Sequence, residues 1–399
     1  MNTVFKPKPL AAKTMIPLSV PELRGNEWKY VKECLDTGWV SSVGPYVERF
    51  EARLADFVGT KFAVATVNGT SAIHIALNVA GVQVDDEVLI SAITFIAPAN
   101  AIRYLGAWPV FIDAERRYWQ MDPDKVQEFL ENKCQMRDDA LYNLATGRRV
   151  KAILPVHVLG HPVNLDPVRE IARKFNLTIV EDATESLGAK YHGRMVGNLG
   201  EIACFSFNGN KIVTTGGGGM IVTNNEAWAR QAKYLTTQAK DDPLEYIHHE
   251  IGYNYRLTNV LAAIGCAQME LLPAFIDRKR EIALTYSKEF AQLPGITVMS
   301  EAPWAFSTYW LYTILVDARE FGIGSRALLK VLAEANIQSR PLWQPLHRSE
   351  AFKDCGMFTC PVAEELNRNA LSLPCSAGLS DADLHTVISV VKSSVSRHE

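Results

Sequence analysis

Along the first half of the chain, short apolar runs alternate with segments in which apolar residues recur every three or four positions. The runs at 62–67, 87–91, 109–113, 151–156, 179–183, 204–207 and 219–223 are short and bounded by turn residues, and they predict buried strands. Between them the helical period returns. Helices are predicted over 46–58, stopped by Gly59, over 72–77, closed by Gly81, over 98–105, ending at Gly106, and over 165–174. Ahead of the first strand, 22–35 is amphipathic with Trp28, Val31 and Leu35 at helical spacing, and it ends at Thr37-Gly38, where glycine can take the left-handed cap conformation. The polar stretch 122–149 reads as helical. Repeated strand, helix, strand order from Phe62 to Thr223 argues for a mostly parallel α/β sheet flanked by helices, which binds ligands at the carboxyl ends of its strands.

Beyond a small-residue-rich helix at 260–272 the pattern changes. Pro273 is expected to stop that helix, and helices at 274–290 and 325–335 then mix with short strands at 296–299 and 309–316. The expected division is an N-terminal arm and large α/β domain over 1–273 and a smaller α+β domain over 274–399.

Composition narrows the classes. Of 399 residues, 48% are hydrophobic and 21% charged, enough to bury a large core and far from the signature of disorder. A net charge of −3 gives no broad basic field for nucleic acid or anionic membrane, so a phosphate-bearing ligand must be held locally. Seven scattered cysteines without a Cys-x-x-Cys indicate neither a disulfide framework nor a metal site, and suit a reducing compartment. Prolines 7, 9, 17 and 21 break the N-terminus, leaving no signal-peptide core, and no later run is expected to span a membrane. The reading is cytoplasmic.

The candidate chemistry centres on a lysine. Lys211 lies between an aromatic-flanked strand, Phe205-Ser206-Phe207, and the run Gly216-Gly217-Gly218-Gly219, where few other side chains compete for a ligand. The strand at 179–183 delivers Glu181-Asp182 at its carboxyl end. A lysine able to form a Schiff base and an aspartate able to pair with a pyridinium nitrogen are the two groups pyridoxal phosphate most needs. Asn68-Gly69-Thr70-Ser71 opens a helix directly after a strand, leaving backbone N–H groups for a phosphate. His157 and His161 lie in a Gly/Pro-containing loop that lacks the helical spacing of a zinc pair, and read as wall of a cofactor pocket. No G-x-G-x-x-G suits a dinucleotide.

Together these motifs resemble the fold-type-I aminotransferases, and among them the DegT-like sugar-nucleotide aminotransferases, whose lysine motif is Phe-Ser-Phe, three residues, then Lys. The resemblance spans about 15–391. It implies pyridoxal 5′-phosphate on Lys211, Asp182 at the ring nitrogen, a phosphate clamp of Gly69, Thr70, Ser71 and Ser206, and Phe95 stacked on the ring. Lys211 would be both anchor and acid/base, a task suited to an amine of lowered pKa. Asn254, in Gly252-Tyr253-Asn254-Tyr255-Arg256, would reach the phosphate in a partner subunit, making the protein a homodimer with shared sites. Three positions after Asp182 the family has Gln or His, whereas this chain has Glu185, which keeps a pocket position without an assigned role.

For the substrate, the resemblance points to Trp39, Ser41, His161, Arg256, Trp310, Arg340 and His347, although the loops at 39–45 and 340–347 read equally as a turn and as interface packing. It implies glutamate as donor and a nucleotide-linked keto sugar as acceptor. The branch it resembles most aminates C4 of a UDP-linked 4-keto-6-deoxy-2-acetamido sugar, for surface polysaccharide. GDP-perosamine-type C4 and dTDP-sugar C3 amination are the alternatives. A sugar dehydratase of the same fold carries histidine at the lysine position, so Lys211 argues against one, and no DNA-binding segment supports a regulator.

Overall fold

The computed structural model describes residues 15–242 and 244–395, so the prolines at 7 and 9 lie outside the described residues. Among these residues a ten-stranded sheet forms the centre. Its main path runs Phe62–Thr66, Gly219–Thr223, Ile202–Ser206, Thr178–Asp182, Arg149–Leu154, Glu87–Ser91, Trp108–Ile112 and Gly356–Phe358. Gly219–Thr223 alone in that path runs against its neighbours. It follows Ile202–Ser206 through the lysine and glycine segment, which holds no crossover helix, and two adjacent strands joined without one must be antiparallel. The other neighbours from Ile202–Ser206 to Gly356–Phe358 are parallel, as the alternating pattern requires. Two apolar clusters pack on the sheet's opposite faces, one around Phe111, Ile75 and Ile90, the other around Phe205, Phe50 and Leu89.

Several expected elements moved, each for a local reason. The stretch 122–149 holds only one helix, Pro123–Lys133, followed by the hairpin Cys134–Arg137 and Ala140–Asn143. The hairpin closes through Asp138 and Asp139, both at positive φ (47° and 63°), the two-residue turn that aspartate tolerates. The first helix is Glu27–Thr37, capped as expected by left-handed Gly38, but its buried face is Tyr30 and Cys34. The Trp28 and Leu35 stripe points outward, 78% and 60% exposed.

Pro273 does not end its helix. Asn259–Phe290 is one helix of 32 residues, so no break in secondary structure marks residue 273. An interior proline costs about 3 kcal/mol, and here Leu272, Phe275, Ile276, Ile282, Tyr286 and Phe290 are buried around it, each contributing roughly 1.5–3 kcal/mol. Contrary to expectation this helix is long and apolar enough to cross a membrane, yet 61% of its apolar window is buried inside the molecule, as in a core helix. Gly265 lets it approach the helix Pro45–Val58, since a Cβ there would stand 2.7 Å from the Phe50 ring. The C-terminal strands Ile296–Val298, Tyr312–Val316 and Ala370–Leu373 form their own antiparallel sheet.

At the carboxyl end of Thr178–Asp182 the pleat turns consecutive side chains to opposite faces. Asp182 faces the ligand cavity, while fully buried Glu181 points the other way. Glu181 accepts the backbone N–H groups of Gly197, Leu199 and Gly200 at 3.0, 2.8 and 2.5 Å. His157 takes the Val163 N–H on Nδ1 at 3.0 Å, which leaves Nε2 to donate to Glu181 at 3.1 Å. Burial alone would raise the Glu181 pKa, but the His157 bond and the backbone donors outweigh it and hold the carboxyl below its ordinary 4.5. A depressed folded pKa contributes stability that is complete above pH 4.5 and is lost as the pH falls through the folded value. Glu181→Gln, which leaves donors unpaired, is expected to cost on the order of 3 kcal/mol at pH 7 in chemical denaturation. The gap should narrow in acid, and an equal gap at pH 7 and at pH 3 would contradict this account.

Candidate functional site

A cavity of about 250 Å³ opens at the carboxyl ends of Phe62–Thr66, Thr178–Asp182 and Ile202–Ser206, where the strand order predicts ligands. Lys211 lines it from a loop bonded to itself. The Lys211 N–H donates to Asn208 O at 2.9 Å, Thr215 N–H to Phe207 O at 2.9 Å, and Phe207 N–H to Gly218 O at 2.8 Å. Two of the glycines are needed for approach. A Cβ on Gly218 would collide with the Thr215 hydroxyl, and one on Gly219 with the Asn68 carbonyl.

Asn68 caps the helix Gly69–Val79, its side chain accepting the Ser71 N–H at 2.8 Å. Gly69 and Thr70 remain on the cavity wall, facing Ser206 from the neighbouring strand end. The gap is narrow, because a Cβ on Gly69 would lie 2.8 Å from Ser206 Cβ. Backbone N–H groups, a hydroxyl and a helix N-terminus thus converge at one end of the cavity, which suits a phosphate. Ser71 is buried with its N–H already spent on the cap, so it supports the turn and does not line the cavity.

Three ionisable groups line the same cavity. Asp182 is buried, with Oδ1 accepting the Thr184 N–H at 3.1 Å; burial raises its pKa against the pull of Thr184 and Lys211. Glu185 is buried too, with Oε2 bonded to the Leu159 N–H at 2.8 Å and Oε1 3.8 Å from Lys211 Nζ. Burial pushes its carboxyl up to about 7, opposed by Lys211 and the Leu159 bond. The Lys211 amine moves down, driven by burial and opposed by Glu185 and Asp182. The two partners therefore converge from opposite directions, the usual result of confining both in one cavity away from water.

Of the other expected site residues, Phe95 stands at the cavity mouth, 53% exposed, and Trp310 covers Lys211 with its ring centroid 3.9 Å from Nζ. The rest lie off the cavity within one chain. His161 is sealed in the core, Nδ1 on the Pro162 carbonyl and Nε2 accepting from Ala302, and burial lowers its pKa to about 4. Arg256 is tied to Glu51 at 2.6 Å. Arg340 lines a separate surface hollow with Met15 and Gln338, and His347 pairs with Glu364 at 3.2 Å. Trp39, Ser41 and Asn254 are exposed. Residues not expected on the wall include Thr94, Thr184, Asn208, Asn210 and Trp343. Both asparagines lie within three residues before the lysine, the one signal for them. Trp343 sits inside the 340–347 loop, whose aromatic and arginine side chains the resemblance sets near the sugar nucleotide, and that membership is its signal.

The residues fit pyridoxal phosphate: one cavity brings together a cleft that a Cβ at Gly69 would close, a buried carboxylate at Asp182 and a largely buried amine at Lys211. Comparison with known proteins agrees. Residues 21–392 match the DegT/DnrJ/EryC1/StrS aminotransferase family. The GDP-perosamine synthase of Escherichia coli O157:H7 is 38% identical over 92% of this chain and 94% of its own. That of Caulobacter vibrioides is 37% identical over 94% and 97%. In three dimensions the crystal structure of S. venezuelae DesV superposes with a TM-score of 0.86 at 29% identity, covering 97% of this chain and all of the other. The chain thus belongs to the DegT/DnrJ/EryC1/StrS aminotransferase family, as a pyridoxal phosphate-dependent sugar-nucleotide aminotransferase.

Proposed function

We propose that the protein transfers an amino group from glutamate to C4 of a nucleotide-linked 4-keto-6-deoxy sugar. The observation that carries this reading is the single cavity holding Lys211, Asp182 and the Gly69 phosphate cleft under two tryptophans. Bound there, pyridoxal phosphate supplies the aldehyde and the electron sink. Gly69, Thr70 and Ser206 hold the phosphate, Asp182 keeps the ring nitrogen protonated, and Lys211 Nζ anchors the cofactor and moves the proton between carbon atoms. Replacing Asp182 by Ala should leave cofactor bound, read by its visible absorption, while transamination falls by at least 100-fold. Unchanged turnover would remove Asp182 from the chemistry.

Two acceptors compete. The branch suggested by the sequence uses a UDP-linked 4-keto-6-deoxy-2-acetamido sugar. Arg340 and His347, expected beside that sugar, lie off the cavity, and relatives of 37% and 38% identity are named GDP-perosamine synthase, which favours GDP-4-keto-6-deoxymannose. A site built to hydrogen-bond an acetamido group would reject a sugar lacking it by about 10⁴, whereas an apolar site discriminates by about 10². Assaying both with a dTDP-3-keto sugar, with glutamate as donor, decides between them. Preference for the 3-keto sugar would overturn C4 amination while leaving the aminotransferase intact.

We also propose a homodimer with shared sites. Asn254 is exposed and its side chain makes no hydrogen bond among the described residues, and Trp28, Trp39, Val43 and Ile251 leave apolar surface uncovered. Mixing Asn254→Ala subunits with Lys211→Ala subunits should restore part of the activity, since one site in each hybrid keeps both groups. Verified heterodimers without activity would contradict shared sites.

A further inference from the structure

The Lys211 amine makes no hydrogen bond among the described residues. Its close neighbours are the Trp310 indole, with Nζ 3.9 Å from the ring centroid, and Glu185 Oε1 at 3.8 Å. The indole is fixed from several sides. Its N–H donates to the Asn210 carbonyl at 2.7 Å, tying the ring to the residue before the lysine. Its backbone carbonyl accepts the Cys375 thiol at 3.3 Å, and a Cβ on Gly160 would stand 2.7 Å from its backbone nitrogen. Trp343 lies parallel to it, within 8°, at 6.4 Å between centroids.

Tyr309, at φ 48°, explains how the indole gets there. The strand expected from residue 309 begins only at Tyr312, and the left-handed residue turns the chain just before Trp310. A bulky residue in that region carries strain, which the surrounding bonds hold in place.

An aromatic face attracts an ammonium but has no lone pair to take its proton. We propose that Trp310 is a positioning residue which, with the Glu185 carboxylate, forms a holding site for the protonated Lys211 side chain whenever the lysine is not bonded to the cofactor. This rests on Lys211 being the cofactor's anchor. A lysine that carries a proton from one carbon to another must keep that proton while detached, near the reacting atoms and away from water. An indole face does this better than a hydrogen-bond acceptor that competes for the proton.

The charged groups facing the amine are Glu185 and Asp182; His157, behind Asp182, has both ring nitrogens engaged with Glu181 and Val163. Burial pushes the amine's pKa down, and both carboxyl groups oppose it. The indole face, which favours the charged form, acts in the same direction as the carboxyls. Removing the face while an apolar side chain of similar reach keeps the amine covered is therefore expected to lower the pKa.

The test labels Lys211 with acetic anhydride, which reacts with the neutral amine, over a pH series, with mass spectrometry of the Lys211 peptide. It uses the full-length protein freed of cofactor and the same protein loaded with pyridoxamine phosphate, which leaves the lysine unbonded. The inflection of the pH profile reports the pKa, and the plateau at high pH reports access, so a more open cavity is not mistaken for a shifted amine. W310L, and W310M as a second replacement without a π face, should move the inflection down by about 0.4–1.5 units, raising labelling below it by roughly 2- to 30-fold. W310F, which keeps a face and loses the indole N–H, should stay closer to the parent. An unmoved or raised inflection in the π-free variants, or an equal shift in W310F, overturns the proposal. A parent protein whose cofactor is not bonded to Lys211 would instead overturn the anchor reading, and the labelling of the cofactor-free protein would still decide the holding site.

Discussion

Burying an amine and two carboxyls in one cavity is the constraint on which the rest of this structure depends. Each ion taken from water costs several kcal/mol, and mutual attraction repays this only when the remaining lone pairs and protons are satisfied. Asp182 has the Thr184 N–H, Glu185 has the Leu159 N–H, and Lys211 has an indole face and the Glu185 carboxyl. Under the proposed function, a pyridine nitrogen would pair with Asp182 and an aldehyde would take up the Lys211 amine. The same desolvation that makes the site costly moves the Lys211 amine down and Glu185 up to about 7, so each ion is held at a cost that its neighbours offset.

The turn at Leu159-Gly160 joins the two halves of the molecule at this site. Both residues are left-handed, at φ 62° and 88°. Leu159 gives its N–H to Glu185, while the Gly160 carbonyl accepts the Thr308 N–H and the Ser307 hydroxyl, each at 3.0 Å. A side chain at Gly160 would push on the Trp310 backbone. The carboxyl beneath the lysine and the indole above it are thus referred to a single two-residue turn, and strain there persists because so many bonds fix it.

Much of this was legible in the chain itself. The parallel strands, the helix after Asn68, the placement of Asp182 and the lysine motif follow from short-range patterns, because strand period, cap chemistry and glycine runs are written in adjacent residues. What was not legible depends on contacts distant in sequence. Pro273 reads as a stop until burial on both sides of it is known, and Trp28 reads as core until Tyr30 and Cys34 are seen to face the long helix. The resemblance points to His161 and Arg340, yet within one chain the histidine is sealed between a carbonyl and an N–H and the arginine lies on another surface, because placement depends on contacts that side-chain chemistry does not encode. The Asp138-Asp139 turn leaves only a faint mark in the sequence, since aspartate at positive φ is a weaker signal than Asn-Gly.

The proposed function stands on Lys211 as the residue that carries the cofactor. Borohydride reduction of the purified protein, followed by peptide mapping, tests it directly, because reduction makes the link permanent. The expected result is one pyridoxyl phosphate adduct per chain, on the peptide containing Lys211. An adduct on any other lysine, with Lys211 unmodified, would contradict it.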